Sequence, residues 1–138
     1  MNRFVLDASV VLTWCFPDEK TQEALEISER IAAGERVPVP AFWRHEVLNA
    51  LLMGEKRKRL TVELTHAFID DLNCLPVDVD NEATSATVFQ TTQRLCRKHG
   101  LTAYDAAYLE IAMRSGHALA TVDDDLRRAA LAEGLPVL

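Results

Sequence analysis

The chain has 138 residues, 49% of them hydrophobic and 26% charged, with a formal net charge of −6. That length suits one domain, the apolar share supports a core without disulfides or a structural metal, and no apolar run approaches the roughly 20 residues of a membrane span. The negative balance argues against non-specific nucleic-acid binding through phosphate neutralisation, and no basic region followed by a long apolar stretch and a cleavage site opens the chain, so no secretory leader is expected. Cys15, Cys74 and Cys96 are odd in number, far apart and outside any C-x-x-C pair. They read as reduced, mostly buried thiols of a cytoplasmic protein.

In chain order, residues 3–7 predict a short buried strand built on Phe4, Val5 and Leu6 and closed by Asp7, with a helix from about Ser9. Leu25, Ile27, Ile31 and Ala32 lie near helical spacing, and Gly34 follows as a stop. The segment VPVP predicts a short extended piece in which Pro38 and Pro40 bar a regular central strand. Trp43, Val47, Ala50, Leu51 and Gly54 share one face of a strong helix. Another helix is expected over 61–73, with Thr61 as N-cap and Glu63 in the first turn, although Leu64 stands where a capping box would need Glu or Gln. LPVDVD predicts a strand, 81–98 a helix stopped by Gly100, TAYDAAYLEIAMRSG a helix stopped by Gly116, HALAT a buried strand and DDDLRRAALAEG a short helix. LPVL is a final strand or tail. Strands alternating with helices predict an α/β layer structure with a mostly parallel sheet. The basic runs at 54–60 and 94–100 read as helix C-termini, where cations complement the dipole; phosphate contact is the lesser alternative.

The informative residues are acids in apolar context. Asp7 and Asp123 each close a strand, and in doubly wound sheets sites form beyond the carboxyl ends of the strands. At 100° per residue, Glu46 borders the face of Trp43, Ala50 and Met53, while His45, Asn49 and Lys56 take the polar side. Asp105 heads the face continued by Tyr108, Leu109 and Ala112. Each acid also has a purely structural reading. Asp7 and Asp123 could be N-caps, Thr102-x-x-Asp105 resembles a capping box, and Glu46 could reach water from a boundary position. All four, however, can be brought to one end of one sheet.

Converging, partly buried carboxylates raise one another's pKa, and a hard divalent cation relieves that. Mg²⁺ and Mn²⁺ prefer oxygen ligands, and such a centre serves metal-assisted phosphodiester hydrolysis. Zinc is not expected: His45, His66, His99 and His117 lack ligand spacing, and HEVLN is not H-E-x-x-H.

The ordered set VLDASV, PAFWRHEVLNAL, LTAYDAAYLEIA and LATVDDDL resembles a PIN domain, and more narrowly a VapC-type toxin of a type II toxin–antitoxin pair, across essentially the whole chain. The resemblance implies one PIN domain over residues 1–138, with a PIN-like three-layer fold: a mostly parallel sheet of four or five strands between helices. It also implies a Mg²⁺- or Mn²⁺-dependent endoribonuclease. Carried over by position, Asp7, Glu46, Asp105 and Asp123 match the acidic quartet. Ser9 and Thr121 match accessory hydroxyls, and Asp125 is an auxiliary acid, with Asp124 facing solvent. The implied partners are an RNA substrate, a second copy in a homodimer and a VapB-type antitoxin, with DNA reached only through that antitoxin. With the quartet set aside the remaining charge is close to balanced, which concentrates the acidity in a cleft suited to a metal or a basic peptide.

Two alternatives stand beside this reading. One is a PIN-like RNA- or protein-binding module without catalysis. The other is a phosphoacceptor receiver domain, which would need paired acids after the first strand and a Lys after the last, neither of which is present here. Trp14, Phe16, Trp43 and Tyr104 are the aromatic candidates for stacking on RNA bases, with Tyr104, beside Asp105, the first to test.

Overall fold

The computed structural model describes residues 3–83 and 85–138. The elements run β1 (Phe4–Leu6), α1 (Ala8–Cys15), a 3₁₀ turn (Pro17–Glu19), α2 (Gln22–Ala32), β2 (Val37–Pro40), α3 (Trp43–Lys56), α4 (Val62–Asn73), β3 (Val77–Asp80), α5 (Ala86–His99), α6 (Ala103–Ser115), β4 (Ala118–Ala120) and α7 (Asp124–Ala132). The strands form parallel ladders flanked by helices, the mixed α/β class that the alternation implies.

β1 pairs with β4 in register Phe4 to Ala118, and β2 pairs with β3 in register Val37 to Val77. β1 lies against β2, yet no ladder joins them. The prolines explain the gap. Alternate residues of a parallel strand face opposite neighbours, and the Val37 N–H donates to Pro76 O of the β3 side at 3.0 Å. Pro38 and Pro40 therefore fall on the edge turned to β1, where they offer no N–H. The expectation that they bar a regular central strand holds: β2 ladders on the β3 side and is silenced on the other edge. On the far side of β4, the tail adds an isolated bridge, Leu119 to Val137.

α6 packs across β1, β2 and β4 and is covered by α5 and α7. Its run from Ala106 to Ala112 is buried throughout, the pattern of a helix enclosed on all sides. Each fully buried Leu or Ile in it contributes about 2 kcal/mol relative to exposure. Thr102 caps its start through the Asp105 N–H at 3.2 Å, and Gly116 ends it at φ +68°, a conformation that glycine adopts without cost. α1 packs against α2 and α3. Gly54 allows the close approach there, since a Cβ at that position would meet the Phe16 ring at 3.0 Å.

Several local expectations shift. In α2 the inward face is Ala24, Ile27 and Ile31, which lie within 60° of one another, while Leu25 is half exposed and Ala32 is exposed. The helix expected over 81–98 begins at Ala86, because Asp80 Oδ2 accepts the Ala83 N–H and turns the chain; Ser85 then caps α5 through the Val88 N–H. Thr84, inside that expected range, lies outside the described residues. The cysteines are free but less buried than expected: Cys74 is exposed, and Cys15 and Cys96 are half-buried. Both basic runs are tied down near helix ends. Arg59 pairs with Asp18 and Glu19 and stacks on Phe16, and Lys98 and His99 both reach Glu133. No described helix is long and apolar enough to cross a membrane.

Candidate active site

Asp7 stands where β1 ends. Its N–H donates to Ala120 O at 3.0 Å, so the last rung of the β1–β4 ladder holds it in place. It occupies the N-cap position of α1, but its side chain makes no capping bond. Instead Asp7 Oδ2 accepts from the Ser9 hydroxyl at 2.6 Å and from the Thr121 hydroxyl at 2.7 Å. Those hydroxyls are themselves pinned. The Val122 N–H donates to Ser9 Oγ at 3.2 Å, and the Asp123 N–H donates to Thr121 Oγ1 at 3.0 Å. Asp7 is 4% exposed and Thr121 fully buried, so this carboxylate sits in a dry, preset cradle.

Asp123 follows β4 and does cap α7: its Oδ1 accepts the Leu126 N–H at 2.9 Å. Asp105 lies in the first turn of α6. Glu46 lies in the first turn of α3, and its Oε1 accepts from the Tyr108 hydroxyl at 2.6 Å. Tyr108 is fully buried, and its hydroxyl also accepts the Ala8 N–H at 3.3 Å. One phenol thus links α6 to α3 and to the residue after Asp7. In the sequence Tyr108 stands only as part of the helical face that Asp105 heads. The signal available was general: a buried tyrosine must find a partner for its hydroxyl.

The four acids share one field. Burial pushes Asp7 up, the Ser9 and Thr121 hydroxyls oppose it, and the Asp123 charge adds to it. Burial also raises Glu46; the Tyr108 hydroxyl resists this, while Asp7 and Asp105 reinforce it. Asp105 is pushed up to about 6, by burial first and then by Asp7 and Asp123, against the Thr102 side chain. Burial and the charges of Asp7 and Glu46 hold the Tyr108 phenol far above its ordinary value, so it remains a donor. Asp125 is set apart. It pairs with Arg128 at 3.0 Å on the exposed surface and reaches the others only through a small charge effect on Asp105. Asp124 is exposed.

Chemically, this is a set of hard oxygen donors with which no cation among the described residues forms an ion pair. That suits a hard divalent ion. Among the described residues, no three His, Cys, Asp or Glu side chains are drawn close enough to hold an ion between them. Mg²⁺ does not need such a cage, because it keeps several waters and binds through one or two carboxylates. Beside Glu46 opens a cavity of about 380 Å³, lined by Phe42, His45, Glu46, Asn49 and Tyr104.

Comparison with known proteins adds three findings. A family model of the PIN domain matches residues 4–131. The chain is 27% identical over 140 residues to Ribonuclease VapC3 of Pyrobaculum aerophilum, covering 99% of this chain and 97% of that protein. The crystal structure of PAE2754, also from Pyrobaculum aerophilum, superposes with a TM-score of 0.70 at 20% identity, over 99% of this chain and 89% of that one. At that identity the likeness speaks to the fold.

Proposed function

The chain belongs to the PIN-domain family, and from that premise we propose that it is a VapC-type toxin: a single-domain endoribonuclease that hydrolyses RNA phosphodiester bonds. The observation that carries the reading is the mutual field of Asp7, Glu46, Asp105 and Asp123, with no cation paired to them among the described residues. The likeness to a protein named as a ribonuclease supports it.

In this reading one or two of the four acids would bind Mg²⁺ or Mn²⁺ directly and the others through its waters, and Asp125 stays outside. The bound ion would supply Lewis-acid polarisation of a phosphoryl oxygen and an acidified water. The protein's own part is preorganisation. Ser9 and Thr121 lock one rotamer of Asp7, so this ligand needs no reordering. Tyr108 does the same for Glu46 through Oε1, which leaves Oε2 turned to other use. Asp123 spends Oδ1 on the α7 cap and keeps Oδ2.

The reading extends to partners. The uncompensated acids would attract a basic side chain as well as a metal, which fits neutralisation by a VapB-type antitoxin that covers the site. DNA would be met only through that antitoxin. A homodimer and a cytoplasmic setting complete the proposal, the latter supported by three unpaired cysteines.

The test is direct. Purified protein should cleave RNA with Mg²⁺ or Mn²⁺ and stop with EDTA, and Asp7→Asn should abolish cleavage while retaining the fold. Full activity in Asp7→Asn would overturn the site. Calorimetry that finds no divalent ion bound would instead favour a PIN-like binding module without catalysis.

A further inference from the structure

We propose that the cavity beside Glu46 is a subsite for one unpaired RNA nucleotide next to the scissile phosphate, occupied by its base. This rests on the ribonuclease reading above. At about 380 Å³ the cavity falls in the range of small-ligand sites, and a nucleoside is of that scale.

Its walls divide into two kinds. Phe42 and Tyr104 are aromatic and meet edge to face, with centroids 5.1 Å apart and planes at 79°. That contact supports one side of the Tyr104 ring, and the residue is 60% exposed. One edge of an otherwise exposed aromatic ring is thus braced against Phe42. Phe42 also packs edge-on to Tyr108, the phenol that holds Glu46, so the platform and the acid site share one frame.

The second kind is polar. His45 and Asn49 are four residues apart on α3 and line the same cavity. Among the described residues neither makes a hydrogen bond or ion pair, whereas the adjacent Arg44 reaches Asn73. An Asn amide offers two donors and an acceptor, the complement of a base edge. An aromatic platform facing unused amide and imidazole groups is the equipment for an unstacked base.

Charge selects the base over the backbone. Among the described residues that line the wall, Glu46 is the only acid, and neither Lys nor Arg is present. A second phosphate would meet Glu46 unpaired, while a neutral base would not. Because Glu46 lines both the cavity and the acid cluster, the nucleotide held there adjoins the phosphate at the acids.

The experiment separates the subsite from the nuclease reading. ¹⁵N-labelled protein is titrated in EDTA with adenosine, cytidine, guanosine and uridine, which carry no phosphate and need no metal. The Asn49 side-chain amide should shift with at least one nucleoside, and Tyr104→Ala should remove that shift. In cleavage assays Tyr104→Ala should raise KM about tenfold with little change in kcat, Tyr104→Trp should restore it, and Asn49→Ala should relax the base preference beside the cut. Both residues are exposed, so an unchanged melting temperature should accompany each variant. No Asn49 shift with any nucleoside, or unchanged KM and cut preference in both variants of an active enzyme, would overturn the subsite and leave the ribonuclease reading intact. A folded wild type that cuts no RNA would overturn that reading, and the nucleoside shifts would then decide the cavity alone. A protein partner that shifts Asn49 and Tyr104 where nucleosides do not would overturn it in favour of a protein ligand.

Discussion

The two ends of α6 hold acids in opposite ways. At the C-terminal end, Glu110 is 4% exposed and would be untenable alone, but Arg114 reaches it through Nε and Nη2 at 2.9 Å. The same guanidinium bonds both oxygens of Asp80 at 3.0 Å and extends to Glu82. Glu110 and Asp80 in turn push Arg114 well above its ordinary value. At the N-terminal end, Asp105 faces Asp7 and Asp123 with only the Thr102 side chain against them, and it is raised to about 6. One cluster is closed on itself by a cation. The other is left open. Acid count does not separate structure from site on this helix; charge compensation does.

The contrast is broken most severely by removing its open side. Asp7→Asn keeps the shape of the carboxylate but removes its charge, and RNA cleavage should be abolished, a fall of at least about 10³-fold, while circular dichroism is unchanged. Arg114→Met does the reverse at the other end. It strands Glu110 in the core, and urea unfolding should show a loss of about 3 kcal/mol. Cleavage per folded molecule should stay at the wild-type rate. If Arg114→Met abolished cleavage in folded protein, the two ends would not be independent, and the division drawn here would fail.

Much of this arrangement was legible in the sequence, and the parts that were not share a cause. Thr61, Thr102, Gly100 and Gly116 act within a few residues of themselves, so caps and stops could be read locally. The acids stood out because charge at strand ends and on an apolar face is locally odd. Pro38 and Pro40 announced that β2 could not ladder on both sides, but nothing local says which neighbour the silenced edge meets. Tyr108 was missed because its meaning lies 62 residues away at Glu46 and 100 residues away at Ala8. Asp125 stood as an auxiliary to Asp123 in TVDDDL, and α7 turns it outward to Arg128.

Tyr108→Phe weakens the support of the open end. It deletes one oxygen, so Glu46 loses its 2.6 Å donor and the Ala8 N–H loses an acceptor. Supporting partners of this kind are worth about 10- to 100-fold in metal affinity or activity. Divalent-ion affinity by calorimetry should fall by that factor, with a stability loss of about 1 kcal/mol for the stranded N–H. Unchanged affinity together with lowered stability would make Tyr108 a packing residue alone.

The smallest effect carries the opposite sign. A carboxyl whose pKa is higher folded than unfolded binds more protons in the native state across the interval between the two values. For Asp105 that interval runs from the ordinary 3.8 to about 6. Its contribution to stability is therefore present at low pH and is lost as pH rises through the interval. Above it the charged side chain is a net cost, reduced by its partial exposure to about 1 kcal/mol. Asp105→Asn should accordingly raise the melting temperature in EDTA at pH 7 to 8, by a few degrees for a domain of this size, and flatten the pH dependence between 4 and 6. Saturating Mg²⁺ should stabilise the wild type and not the variant, which narrows or reverses the difference. A variant that is less stable than wild type in EDTA at pH 8 would mean that Asp105 is compensated after all, as Glu110 is, and the open end of α6 would be open no longer.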